Sequence, residues 1–126
     1  MAQNTDRVLK VAIVGCGGIA NGKHIPNLVN QKNVELVAFC DIIEERAIES
    51  ARKIGKEDTI KIYTDYKELL KDESIDVVHV CTPNKSHSFI TIDALEAGKH
   101  VMCEKPMAKT AKEARAMVET AKRTGK

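Results

Sequence analysis

A glycine turn set between an extended apolar run and a helical segment constrains this chain more than any other feature. The run Val8–Val14 delivers the backbone into Gly15-Cys16-Gly17-Gly18-Ile19-Ala20. Gly15 allows a tight turn, Gly17 has no side chain and lets the backbone approach a pyrophosphate, and Ala20 completes G-x-G-x-x-A as the small residue that lets the next helix pack on the strand. The opening N–H groups of that helix, around Gly18 and Ile19, have no intrahelical acceptor, and the helix dipole adds partial positive charge there. The turn is therefore predicted to hold an anion.

A glycine pattern recurs by chance, so its surroundings decide its weight. The next apolar run, Val34–Cys40, ends at Asp41, 21 positions after Ala20, close to the about 20 expected for a carboxylate that accepts from an adenosine ribose. Asp41 also suits an N-terminal cap for the segment starting near Ile43, and the two roles are compatible. A 2′-phosphate would be repelled by this carboxylate, so NAD is favoured over NADP. Arg46 is the only nearby counterweight, and its spacing places it on a helix face.

Strand and helix signals alternate to the end of the chain. Strands are expected at 8–14, 34–40, 60–63, 75–81 and 100–103, the β-branched runs such as Val77-Val78-His79-Val80 reading as strands buried on both faces. Helices are expected from about Gly18, perturbed or ended at Pro26, then over Ile43–Ile54 with a stop at Gly55, from Asp65 through Leu70, over Ser86–Ala97 with a stop at Gly98, and from near Thr110. Right-handed crossovers turn this order into an α/β doubly wound parallel sheet, a Rossmann fold with strand order 3-2-1-4-5. A dinucleotide would lie across its carboxyl edge, where strands one and four diverge.

Charge is nearly balanced, 20 basic against 18 acidic residues, which gives no support for nucleic acid or a membrane surface as partner. Two Phe, two Tyr and no Trp leave no base-stacking platform. The N-terminal residues Met1–Arg7 are polar and the apolar run behind them is too short for a signal-peptide core, so a cytoplasmic location is expected. Cys16, Cys40, Cys81 and Cys103 lack C-x-x-C spacing, so no metal site is expected. All four are expected near carboxyl ends of strands, as reduced thiols.

Two further segments follow strands four and five: Thr82-Pro83-Asn84 with His87, and Glu104-Lys105-Pro106. With the glycine turn and Asp41, they make the whole chain resemble the N-terminal NAD-binding domain of the glucose–fructose oxidoreductase / inositol dehydrogenase / MocA-like family. The resemblance implies hydride transfer between a nicotinamide cofactor and a secondary hydroxyl or ketone of a sugar, cyclitol or polyol. It implies that Gly15, Gly17, Gly18, Ile19, Ala20 and Asp41 bind the cofactor together with Thr82, Pro83, Asn84, His87 and Glu104, the Thr-Pro-Asn turn lying along its nicotinamide half. Lys105 is implied as the catalytic residue, its ammonium facing the reacting oxygen, and Pro106 as a fixed, cis-capable peptide that aims it.

Plainer roles stay open at this point. Lys105 suits an exposed loop, Asn84 and Ser86 suit helix caps, His87 suits a supporting role, and Glu104 suits a cap, a pair with Lys105 or a ribose contact. His24, His79 and His100 show no ligand spacing and read as packing or surface residues. Family members continue into a second, substrate-binding domain, so residues 1–126 are read as one dinucleotide-binding domain, the N-terminal part of a longer NAD-dependent dehydrogenase. Alone, such a chain is expected to be inactive, and an uncovered fifth strand is expected to invite homo-oligomers. A non-catalytic NAD sensor of the same fold is the alternative; a methyltransferase is disfavoured by Ala20 and Glu104-Lys105-Pro106.

Overall fold

The computed structural model describes residues 7–126; Met1–Asp6 of the polar N-terminal stretch lie outside them. Strands β1 (Leu9–Val14), β2 (Val34–Cys40), β3 (Lys61–Tyr63), β4 (Val77–Val80) and β5 (His100–Cys103) form one parallel sheet in the order β3-β2-β1-β4-β5. This is the expected doubly wound arrangement. Side chains alternate across β1: Val11 and Ile13 enter one core with Phe39 and with Ile25, Ala47 and Ala51 of helices α1 (Ile25–Val29) and α2 (Glu44–Lys53). Ala12 and Val14 enter the other, with Val78, Val80, and Leu69, Ile90 and Ala94 of helices α3 (Tyr66–Leu69) and α4 (His87–Glu96). Burial on both faces is what makes the strands near-continuous apolar runs.

Helix ends follow local chemistry. Asp65 accepts from the Lys67 N–H at 2.9 Å and opens α3, while Thr110 accepts from the Glu113 N–H at 3.1 Å and opens α5 (Ala111–Thr124). Gly55 and Gly98, at φ +69° and +83°, close α2 and α4 in a conformation that costs glycine little. A 3-10 turn, Asn84–Ser86, leads into α4.

Pro26 does not end its helix. The chain stays helical to Val29, and the disturbance sits upstream as a π-helical turn, Ala20–His24. Proline has no N–H to give to the preceding turn, and the Ile25 N–H reaches back five residues to the Ala20 carbonyl, widening the turn instead of breaking it. Strand four, Val77–Val80, is also shorter than the expected 75–81: Ile75, Asp76 and Cys81 lie outside it, although the Asp76 and Cys81 N–H groups still reach the Lys10 and Val14 carbonyls of β1. Among the described residues no helix is long and apolar enough to cross a membrane.

Candidate functional site

Parallel register brings the sequence motifs to one edge. Val14, Cys40, Tyr63, Val80 and Cys103 pair side by side across the sheet, so the residues that follow them form the next row. Gly15 donates its N–H to the Cys40 carbonyl (2.8 Å), Asp41 to Tyr63 (3.1 Å), Cys81 to Val14 (2.8 Å) and Glu104 to Val80 (3.0 Å). Gly15, Asp41, Cys81 and Glu104 thus stand in line along the carboxyl edge, the place where open α/β sheets bind ligands.

The glycines of the turn differ in what they do. Gly15 is at φ +96°, and a Cβ there would come within 2.7 Å of the Cys81 carbonyl carbon and the Thr82 nitrogen. It is required by the close approach of two turns. At Gly17 and Gly18 an added Cβ would meet nothing within 4 Å, so their side faces open space at the head of the helix. Ala20 is fully buried and packs the helix onto the sheet. Asn21 holds the turn from inside, its Nδ2 donating to the carbonyls of Cys16 (2.9 Å) and Gly17 (3.0 Å). The open face and the helix start fit a dinucleotide pyrophosphate.

Asp41 works on the backbone. One carboxylate oxygen accepts from the Cys16 N–H and the other from the Ile43 N–H, each at 2.9 Å, so the residue joins the glycine turn to the start of α2. A carboxylate has about four acceptor positions, which leaves it capacity for a ribose hydroxyl. Beside it opens a cavity of about 270 Å³ lined by Ile42, Arg46, Thr82, Pro83 and Phe89 among others. Arg46 therefore shares a cavity with Asp41, where its helical spacing suggests only an exposed face.

Across the row, the Thr82-Pro83-Asn84 turn is fixed from behind. Neither Asn84 nor Ser86 caps a helix through its side chain; the Ser86 hydroxyl donates to the Pro83 carbonyl (2.8 Å) and accepts from the Thr82 hydroxyl (2.6 Å between oxygens). His87 is 1% exposed and spans two loops, Nε2 lying 2.7 Å from the Thr82 carbonyl and Nδ1 2.7 Å from the Pro106 carbonyl. Its ring is engaged with backbone on both sides.

Lys105 follows on the β5 side, exposed, and the Lys105–Pro106 peptide is cis. Glu104 turns to His24, a partner outside the roles its sequence position suggests: Oε2 lies 2.5 Å from His24 Nε2, and Oε1 accepts from the Lys105 N–H at 3.1 Å. These two contacts hold its carboxyl below the ordinary carboxylate range. His24 in turn meets His79 of β4 edge to face, ring centroids 5.6 Å apart. Burial lowers His79 to about 4, and its Nδ1 has no partner among the described residues. Neither His24 nor Asn21 stands out as a site residue in the sequence: the Glu104 partner of His24 lies 80 positions away, and no local pattern joins them.

All four cysteines lie at or just past strand ends and are free thiols. Burial pushes Cys16, Cys40 and Cys81 up to about 12, which keeps them unreactive. No group of three or more acidic, His or Cys residues among those described is placed to hold a metal ion. A separate cavity, about 510 Å³, opens at the opposite edge of the sheet beside Lys71, Asp76 and Lys99 and shares no residue with this row.

Comparison with known proteins agrees with this geometry. Residues 9–126 match the family model described as oxidoreductase family, NAD-binding Rossmann fold. The chain is 42% identical over 122 residues to D-glucoside 3-dehydrogenase of Escherichia coli, covering 97% of this chain and 34% of that protein. It is 39% identical over 119 residues to inositol 2-dehydrogenase of Salmonella typhimurium, covering 94% of this chain and 34% of that one. Among solved structures, myo-inositol dehydrogenase from Lactobacillus casei, in complex with NAD(H) and myo-inositol, superposes with a TM-score of 0.85 at 32% identity, over 92% of this chain and 34% of the other. The chain thus spans about a third of the length of the relatives it matches.

Proposed function

Because this chain belongs to the glucose–fructose oxidoreductase / inositol dehydrogenase / MocA-like oxidoreductase family, we propose that it is the cofactor domain of an NAD-dependent dehydrogenase. The substrate would be a sugar, cyclitol or related polyol, oxidised at a secondary hydroxyl or reduced at the matching ketone. The observation that carries this reading is Lys105, exposed on the row that holds the glycine turn, with Glu104 and Pro106 on either side both tied down.

The dinucleotide supplies the hydride acceptor or donor. The chain's own groups do the rest. Backbone N–H groups from Gly17 through Ala20 meet the pyrophosphate, Asp41 accepts from the adenosine ribose, and the Thr82-Pro83-Asn84 turn borders the nicotinamide half. His87 supports that turn from behind. The Lys105 ammonium hydrogen-bonds the reacting oxygen, favours negative charge developing there, and exchanges a proton with it. Asp41 sets a preference for NAD over NADP, with Arg46 in the same cavity as the opposing charge. Turnover needs near-attack geometry and water exclusion, which a surface facing Lys105 would supply. A cytoplasmic protein that self-associates completes the proposal.

The deciding experiment places Lys105→Ala and Lys105→Arg in the full-length protein and measures NAD affinity apart from turnover. Lys105→Ala should lower kcat about 10²–10³-fold and leave NAD affinity nearly unchanged. Lys105→Arg should rescue poorly, because a planar guanidinium does not replace a compact ammonium. Intact turnover in Lys105→Ala, or loss of cofactor binding, would overturn the assignment.

A further inference from the structure

The pair His24–Glu104 joins two parts of the site that the sequence keeps 80 residues apart. His24 ends the π-helical turn that continues directly from the glycine turn, and π-turns of this kind concentrate at functional sites. Glu104 is the residue before Lys105. Its carboxylate is divided between His24 Nε2 on one oxygen and the Lys105 N–H on the other, so a single side chain connects the phosphate helix to the backbone of the lysine. Both partners are largely screened from water, their side chains 11% and 17% exposed. The His79 ring backs His24, and Lys23, Cys81 and Cys103 also lie near the Glu104 carboxylate.

We infer that His24 is a positioning residue for Lys105: through Glu104 it couples the seating of a dinucleotide at the Gly17–Ala20 helix start to the placement of the lysine backbone. The inference rests on the role proposed above for Lys105. His87 fixes the other side of the lysine through the Pro106 carbonyl, so removing His24 frees one flank and leaves the other held.

The test reads amide hydrogen exchange at Lys105, whose N–H lies in the contact itself. In the cofactor-free chain, His24→Ala and Glu104→Ala should each speed that exchange about tenfold, and the double variant should be no faster than either, because one contact is removed in each case. His24→Gln, which keeps a donor, should recover to within about threefold of the parent. Adding NAD should slow Lys105 exchange in the parent chain. In His24→Ala the Gly17–Asn21 amides should still respond to NAD while Lys105 does not. Additive effects in the double variant, or equal slowing of Lys105 by NAD with and without His24, overturn the inference, and so does a parent chain that binds no NAD. Because the exchange cycle is read without cofactor or substrate, it separates from the proposed function: coupling between His24 and Glu104 together with intact turnover in Lys105→Ala would overturn that function instead.

Discussion

The two halves of the carboxyl edge are built by different means. On the β1–β2 side, Gly15 and Asp41 hold each other through main-chain donors: the Gly15 N–H on the Cys40 carbonyl, and the Cys16 and Ile43 N–H groups on the Asp41 carboxylate. On the β4–β5 side, imidazoles do the fastening: His24 on Glu104, His87 on the Thr82 and Pro106 carbonyls, and His79 beneath them. The half proposed to meet phosphate and ribose is held by backbone donors, and the half with Lys105 is held by imidazole side chains. Variants and acid should therefore damage the two halves differently.

The largest effect is expected where the halves touch. Gly15→Ala would drive a Cβ to 2.7 Å from the Cys81 backbone at a φ of +96°. Overpacking and backbone strain each cost roughly 1–3 kcal/mol, so urea denaturation should show a loss of about 2–5 kcal/mol and cofactor binding should fail with it. Gly17→Ala is the contrast. Its Cβ meets nothing within 4 Å and its φ is not positive, so stability should stay within about 0.5 kcal/mol while NAD affinity falls. Equal destabilisation by the two would erase the distinction between a structural and a ligand-facing glycine.

Acid should act on the imidazole half. Burial lowers His79 from its ordinary 6.5 to about 4 in the folded chain. Between those values the unfolded chain binds the proton and the folded one does not, so stability rises with pH there and is lost as pH falls from 6.5 toward 4. Each pH unit across that window costs on the order of 1.4 kcal/mol, so the whole loss should approach about 3 kcal/mol. Glu104, held low by His24, adds to it at the acid end, because its contribution is present above the ordinary carboxylate value and lost below it. His79→Leu should flatten the slope between pH 6.5 and 4, and exchange followed by NMR should rise in β4 and β5 before β1 and β2. A slope unchanged in His79→Leu would remove His79 as its source.

Legibility in the sequence divides along the same line. The extents of β2 and β5 match the expected strands residue for residue: β2 reads as a largely buried apolar run, and the half-exposed β5 is bracketed by the Gly98 stop and the Glu104-Lys105-Pro106 turn. Strand order and the line of motifs at one edge follow from parallel register and short crossovers. The π-turn did not follow from Pro26, because the helix absorbed a missing donor upstream instead of ending. His24 looked like a surface or packing residue for a related reason: its partner is 80 positions away, and only the fold makes them neighbours. Glycine chemistry is local and reads directly; a hydrogen bond between distant side chains has no local signature.

The smallest of these effects concerns the one side chain on which the main-chain half depends. Asp41→Ala leaves the Cys16 and Ile43 N–H groups without their acceptor, and the residue is 9% exposed, so water replaces it poorly. An unsatisfied buried donor costs about 1–3 kcal/mol; Ile43, half-exposed, can rehydrate, so the loss in urea should fall within that range. NAD should weaken by a similar amount, about 1–3 kcal/mol, because losing a hydrogen bond to a charged acceptor and loosening the glycine turn act together. Asp41→Asn sharpens the point. Its Oδ1 can serve one of the two N–H groups, while its amide nitrogen faces the other as a second donor. Asparagine should therefore recover only part of the stability. If Asp41→Asn matched the parent in stability and NAD affinity, the carboxylate would not be what joins the glycine turn to α2.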